Sequence, residues 1–418
     1  MTRWRFVHAA DLHLDSPFVG LGEVQPELAR QLTEATFAAL TRLADLCLAE
    51  GAAFLLLAGD LFDQPQGSLK AQLRLRRELS RLAYQGIETF IVHGNHDHAG
   101  SGGLTLNWPD GVTVFPQERV DLAEVKRQGA TLARIYGISH GGPAEAANLA
   151  AGFPEAKAGP LAIGLLHANL DHNAEHGDYA PCTLADLAKP GYDYWALGHI
   201  HRPGVRRAAQ PAVVYAGNPQ GRHLKEPGPR GCYLVEVDGH QVTPHFRPLA
   251  PIGWDEAGLD LGEARQVDQV LAALQDLVAA RRPRPPDQGV ILRLNLTGRS
   301  PVHHDLQRAG IIQELVDDLR YHGFSSTPWV WVASLAAATG PDLDLDSLRQ
   351  GQNLAAAVLT LLDEARKWPI MPPYLKALLD PVYRQPLAQR YLTEAPAWPG
   401  LADEVAAALL SRLLPEED

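Results

Sequence analysis

Five times along this chain a short apolar run ends abruptly in acids, amides or imidazoles. Residues 5–9 lead into Asp11-Leu12-His13, and residues 53–58 lead into Gly59-Asp60-Leu61-Phe62-Asp63. Residues 87–92 lead into His93-Gly94-Asn95-His96-Asp97, residues 161–166 stop at His167, and residues 194–197 stop at Gly198-His199-Ile200-His201. Runs so short and so apolar read as strands buried on both faces. Between the first three lie helical stretches, about 27–50 and 68–84; in the first, Leu32, Phe37, Leu40, Leu43, Leu46 and Cys47 recur at near-helical spacing. The order strand–helix–strand–helix–strand, with right-handed crossovers, gives parallel strands whose ends share one edge. Open α/β sheets take their ligands at that edge. Asp11, His13, Asp60, Asn95 and His96 are therefore expected to converge.

Side-chain alternation in an extended segment puts Asp11 and His13 on one side, and likewise His199 and His201. Each cluster alone has a plain explanation: Gly-Asn is common turn chemistry, a His-Asp pair can be solvated, and His8 inside the first strand reads as a core or supporting histidine. All five clusters together, each of metal-ligand type and each at a strand end, are not explained that way. A nitrogen and oxygen donor set without thiolate suits Mn²⁺, and also Fe or Zn.

Composition narrows the class. A chain of 418 residues exceeds one ordinary core, which implies two or three domains. Hydrophobic content of 46% and charged content of 21% are globular, and a net charge of −12 excludes a general basic coat while permitting a local basic groove. Cys47, Cys182 and Cys232 are far apart and make no CxxC pair, so neither a disulfide framework nor a zinc ribbon is indicated. The N-terminus enters a strand without a signal-peptide apolar region, and no run reaches membrane-spanning length, so the cytoplasm is the expected location and no membrane partner is expected.

The ordered set Asp-x-His, Gly-Asp-x-x-Asp, Gly-Asn-His-Asp, His and Gly-His-x-His, over residues 5–201, resembles the calcineurin-like metallophosphoesterase superfamily. Phe6-Val7-His8 through Leu14-Asp15-Ser16-Pro17-Phe18, with Tyr215-Ala216-Gly217-Asn218-Pro219-Gln220-Gly221-Arg222 and Gly231-Cys232-Tyr233-Leu234-Val235-Glu236, resembles the SbcD and YhaO group of DNA repair exonucleases. The resemblance implies an α/β fold: a metallophosphoesterase β-sandwich core flanked by helices, with a small α+β cap and a helical C-terminal segment. It implies two divalent ions, Mn²⁺ foremost. Asp60 would bridge them, Asp11, His13 and His201 would complete one site, and Asn95, His167 and His199 the other. His96 would donate to a phosphoryl oxygen or the leaving alkoxide, with Asp97 orienting its ring.

Basic residues gather after the last motif: Arg202, Arg206, Arg207, Arg222, Lys225 and Arg230. They are candidates for DNA phosphate contacts, and ordinary surface arginines are the competing explanation. Past residue 250 the pattern changes to helix 267–278, strand 290–296, helix 309–321 and strand 329–332. The domains expected are 1–250 (nuclease), 251–340 (α+β cap) and 341–418 (helical), the last with helices at 354–365 and 401–414. In related nucleases such a segment docks on an SbcC-like coiled-coil ATPase; packing on the cap is the alternative. The expected activity is a metal-dependent DNA exo/endonuclease, with DNA and the ATPase as partners and a homodimer compatible with the sequence. A small-molecule phosphodiesterase or phosphatase is the competing enzyme, and a docking subunit without catalysis the competing non-enzyme.

Overall fold

The computed structural model describes residues 3–18, 26–64, 67–99, 106–171, 177, 179–208, 210–342, 345–351 and 354–366. By internal contacts the chain divides into two units. The first is Met1–Glu256 with Arg281–Leu292 and Phe324–Ala333; the second is Ala257–Ala280 with Arg293–Gly323 and Ser334–Asp418.

The first unit opens with strand β1 (Trp4–Ala9), helix α1 (Pro26–Ala49), β2 (Phe54–Ala58), α2 (Leu69–Tyr84) and β3 (Glu88–Val92). Then come β4 (Val112–Val114), β5 (Asp121–Arg127), β6 (Ala130–Gly137), β7 (Leu161–His167) and β8 (Tyr194–Gly198). β9 (Gly204–Arg207), β10 (Ala212–Tyr215), β11 (Gly231–Asp238) and β12 (Gln241–Pro248) follow. These strands make two six-stranded sheets, ordered β12-β11-β1-β2-β3-β4 and β5-β6-β7-β8-β10-β9. Strands β1 to β4 are parallel neighbours, and so are β6, β7, β8 and β10. The polar strand ends thus come from two facing sheets, three from one and two from the other, and not from a single edge.

Uniform apolarity follows from burial on both faces. Between the sheets, Phe6, Phe54, Leu56, Phe90 and Val92 meet Ile135, Ile163, Leu165, Tyr194 and Val214. Alternate residues of the first sheet, Val7, Ala9, Leu55, Leu57 and Ile91, pack outward against Phe37, Leu40 and Leu43 of α1 and Leu75 and Leu79 of α2. Among the described residues, no helix packs into the cluster on the second sheet's outer face as α1 and α2 do on the first. Tyr136, Leu166, Trp195 and Tyr215 are covered there by loop residues such as Phe153, Leu187 and Tyr192. His8 does lie in the core, its Nδ1 3.0 Å from the Tyr194 hydroxyl, and burial lowers its pKa to about 3.

Farther on lie β13 (Ile252–Asp260), α3 (Val267–Ala280), β14 (Gly289–Arg299), α4 (His303–Leu306), α5 (Ile311–Phe324), β15 (Trp329–Gly340), α6 (Leu345–Gln350) and α7 (Leu354–Arg366). The strands form a sheet ordered β13-β14-β15. Their first halves count with the first unit because Ile252, Trp254, Ile291, Trp329 and Trp331 pack on Leu28 and Leu32 of α1. Interval 251–340 is therefore shared between the units. In the second unit, α3 buries Val270, Leu274 and Val278, and α5 buries Leu315, Val316 and Leu319. The helix expected at 401–414 lies outside the described residues. No described helix is long and apolar enough to cross a membrane.

Phe54 anchors the interface between the sheets. It is fully buried, stacks on Phe6 at 5.0 Å between ring centroids, and meets Phe90 edge-on at 6.0 Å. Phe54→Ala is expected to destabilise the protein by about 3–5 kcal/mol, read as a lowered urea midpoint. A loss under about 1 kcal/mol, smaller than any such core truncation, would contradict this packing.

Candidate metal centre

The loops after β1 and β2 are tied together by their backbones. Asp11 N–H donates to Gly59 O, His13 N–H to Asp60 O and Leu14 N–H to Leu61 O, at 3.0, 3.0 and 2.9 Å. Meeting this ladder bends the backbone into the left-handed region at Asp11 (φ 52°), His13 (φ 41°) and Asp60 (φ 49°), and His199 has φ 98°. Few non-glycine residues adopt that conformation, Asp and His more often than most, and it stores strain at these loops. The segment from Asp11 to His13 is therefore not extended, and alternation is not what brings the two side chains together. Close approach also fixes Gly94: a β-carbon there would overlap the Asp60 carboxylate and the His167 ring.

Asp11, His13, Asp60, Asn95, His167, His199 and His201 do meet at the seam between the sheets. His13 Nε2 lies 3.1 Å from His201 Nε2 and 3.7 Å from Asp60 Oδ2. His167 Nε2 lies 3.0 Å from Asn95 Oδ1 and 3.5 Å from the same Asp60 Oδ2. Asp60 Oδ1 accepts the His96 N–H at 3.0 Å, so one oxygen faces both groups while the other holds the neighbouring loop. Asp11 accepts the His199 N–H at 3.0 and 3.2 Å. The His199 ring is 5.3 Å from that of His167.

Three of the outer ring nitrogens make hydrogen bonds. His167 Nδ1–H donates to Ala58 O (2.9 Å), His199 Nε2–H to Gly177 O (2.8 Å) and His201 Nδ1–H to Glu226 (2.6 Å), while His13 Nδ1 faces Asp63 at 3.2 Å. In its neutral form each of these rings turns a bare lone pair inward. Burial, and next the charge of Arg222, keep His13 neutral; burial, and next His140, do so for His167. Burial pushes the Asp11 carboxyl up to about 8 and, with the charges of Asp97 and Asp11, raises that of Asp60 well above the ordinary range. Two lone pairs 3.1 Å apart and two crowded carboxyls are unfavourable alone. A divalent cation relieves both, since two nitrogens about 2.1 Å from one ion at a right angle stand about 3 Å apart. Among the described residues, three groups in this cleft have ligand atoms within 4.8 Å of one another: Asp11, His13 and His201; Asp11, Asp60 and His167; and His13, Asp63 and His96. His199 stands outside these groups.

His96 is exposed, and its ring is 5.0 Å from that of His13. Its Nδ1–H donates to the Asp63 carbonyl at 3.0 Å. Asp97 is turned elsewhere: it accepts the Leu61 N–H at 2.8 Å and the Gly94 N–H at 2.9 Å, with His93 Nδ1 at 3.5 Å. Asp97 thus holds the loop, and the ring of His96 is set by Asp63, a correction to the sequence reading. The basic cluster is likewise taken apart by the fold. Arg222 is mostly buried, 2.6 Å from Asp63 Oδ1 and 2.7 Å from Ser16 Oγ. Arg230 is buried against His201 O, Asn218 and Pro227 O. Arg207 pairs with Val213 near the start of β10, away from the end that meets the site, because β9 runs back antiparallel. Arg206 lies over the Tyr215 ring at 5.5 Å. Arg202 and Lys225 are exposed, next to His201 and Glu226 in the chain.

Asp63, Arg222 and Glu226 are the residues missed as supports of the centre. Glu226 is buried, which works to raise its pKa, but the His201 ring, the Arg222 N–H and the Arg222 charge hold it well below the ordinary range. Its signal in the sequence is a single acid inside the basic run from Arg222 to Arg230.

Comparison with known proteins agrees with this geometry. The calcineurin-like phosphoesterase family matches residues 5–203, and the middle domain of metallophosphoesterase YhaO matches residues 254–340. The chain is 36% identical to the metallophosphoesterase YhaO of Bacillus subtilis (strain 168), over 83% of this chain and 85% of that one. It is 27% identical to one subunit of the nuclease SbcCD of Rhodobacter capsulatus, over 71% and 81%. It is 28% identical to the DNA double-strand break repair protein Mre11 of Sulfurisphaera tokodaii, over 52% and 54%. The chain belongs to the calcineurin-like metallophosphoesterases and, among them, to the YhaO family.

Proposed function

We propose that the chain is a two-metal-dependent phosphodiesterase that cuts DNA, as an exo- or endonuclease in repair. One observation carries the reading: Asp60 Oδ2 stands 3.7 Å from His13 Nε2 and 3.5 Å from His167 Nε2, between two groups of inward-turned donors. In this reading Asp11, His13 and His201 hold one ion, Asn95, His167 and His199 hold the other, and Asp60 serves both. Proteins of this family bind divalent metals and act on phosphoesters; Mn²⁺ is our choice of ion, since the donor set is mixed nitrogen and oxygen. Such ions, when bound, clamp the attacking and leaving oxygens of a phosphoryl displacement.

The chain's own residues do the rest. His96 donates a hydrogen bond from Nδ1–H to the Asp63 carbonyl, which leaves Nε2 of an exposed ring available to the substrate. Protonated, that ring donates to the leaving oxygen. Asp97 keeps Gly94 and Leu61 in place, so that the His96 N–H reaches Asp60. DNA as substrate is supported by the relatives named as a nuclease and a double-strand break repair protein, and by Arg202 and Lys225 exposed in the chain beside His201 and Glu226. The relative named as one subunit of SbcCD makes an SbcC-like ATPase the expected partner; failure of the two to co-elute would count against it.

End-labelled DNA duplexes with Mn²⁺ test the reading. Cleavage that chelation abolishes, and that excess unlabelled duplex competes away, is expected. Hydrolysis of small phosphodiesters that duplex DNA leaves untouched would make the enzyme a small-molecule phosphodiesterase instead. In the same assay His96→Ala should lower kcat about 10²–10⁴-fold with both ions retained; cutting at the wild-type rate removes its role, and a lost ion would make it a ligand.

Contacts to the phosphate backbone release counterions, so duplex affinity should fall steeply with salt. Arg202→Glu with Lys225→Glu should weaken binding alike for all sequences and flatten that slope, measured by fluorescence anisotropy. An unchanged slope would remove these two residues from the DNA path.

A further inference from the structure

The imidazoles of the centre are not backed alike. His167 and His199 donate their outer N–H to main-chain carbonyls, Ala58 at 2.9 Å and Gly177 at 2.8 Å. His13 and His201 face carboxylates instead, Asp63 at 3.2 Å and Glu226 at 2.6 Å. A carboxylate partner fixes the tautomer and raises the basicity of the inward nitrogen, more than a neutral carbonyl does.

The two carboxylates differ as well. Asp63 shares its charge, since the same Oδ1 takes Arg222 Nη1 at 2.6 Å. Glu226 is 4% exposed, and its other oxygen accepts two neutral donors, Asn218 Nδ2 at 3.1 Å and the Arg222 main-chain N–H at 2.7 Å. These fix the carboxylate, while the Arg222 charge acts on it from farther off and His223 Nε2 stands 3.8 Å from its Oε1. Glu226 also lies beyond residues 5–203, the segment that matches the phosphoesterase family. The support for His201 is thus contributed by the loop between β10 and β11.

We propose that Glu226 is a positioning residue that makes the group Asp11, His13 and His201 the tighter of two divalent-ion sites. The inference rests on the two-ion reading above. The ions then load in order, this group first, and activity follows the filling of the weaker site. Glu226 acts through His201: it draws the Nδ1 proton toward itself and keeps Nε2, 3.1 Å from His13 Nε2, bare. A neutral amide in its place can present an N–H to Nδ1, which moves the ring's proton to Nε2 and spoils the inward donor.

Calorimetric titration of the metal-stripped full chain with Mn²⁺ tests this. The wild type should show a tighter and a weaker event, and Asn95→Ala should remove the weaker one. Glu226→Gln should weaken the tighter event about 10–100-fold and leave the other in place. Glu226→Asp, which keeps the charge at a longer reach, should give a smaller loss in the same event, and it decides the matter if the Gln variant does not fold by circular dichroism. Equal affinity at both sites in the wild type, an unchanged tighter event in both variants, or equal weakening of both events overturns the inference and leaves the two-ion reading standing. A wild type that takes up a single ion overturns both.

Discussion

The Ala58 carbonyl is where the two sheets become one site. It ends β2 in the first sheet and accepts the Nδ1–H of His167, which ends β7 in the second, at 2.9 Å. Gly198, at the end of β8, passes so close that a β-carbon would overlap that same carbonyl. Asp11, after β1, then accepts the His199 N–H across the seam. Without these crossings the sheets would still pack through their shared apolar core, but the donors at their ends would not face each other.

Holding them together is costly, and the cost is visible in the electrostatics. Asp11 and Asp60 are buried with raised pKa values, and the neighbouring imidazoles are held neutral. Left-handed backbone at Asp11, His13 and Asp60 adds strain. Structures store strain of this kind where function depends on it, and a divalent cation is the species that turns crowded carboxyls and facing lone pairs into attraction. The outer contacts, to carbonyls on one side and carboxylates on the other, keep the rings in the tautomers that such an ion requires.

Much of this was legible in the sequence because burial on two faces writes itself as uniform apolarity. Strands β1, β2, β3, β7 and β8 are of that kind, and each ends where its polar cluster begins. The hairpin of β5 and β6 was not legible, since much of β5 is exposed and its pattern is weak. The split into two sheets came only from the family resemblance, which implied a β-sandwich; the residues alone do not show it, because it depends on which strands pair and not on what each contains. The supports of the centre were hidden for a related reason. Arg222 reads as a surface cation because its partner Ser16 is 206 positions away, and Asp97 reads as the partner of its neighbour His96 while its oxygens serve Leu61 and Gly94.

Anomalous diffraction from crystals soaked in Mn²⁺ would count the ions at this seam. A two-ion centre gives two peaks about 3.5–4 Å apart, one against His13 and His201 and one against His167 and Asn95, with Asp60 Oδ2 beside both. A single peak there, or none, would contradict it.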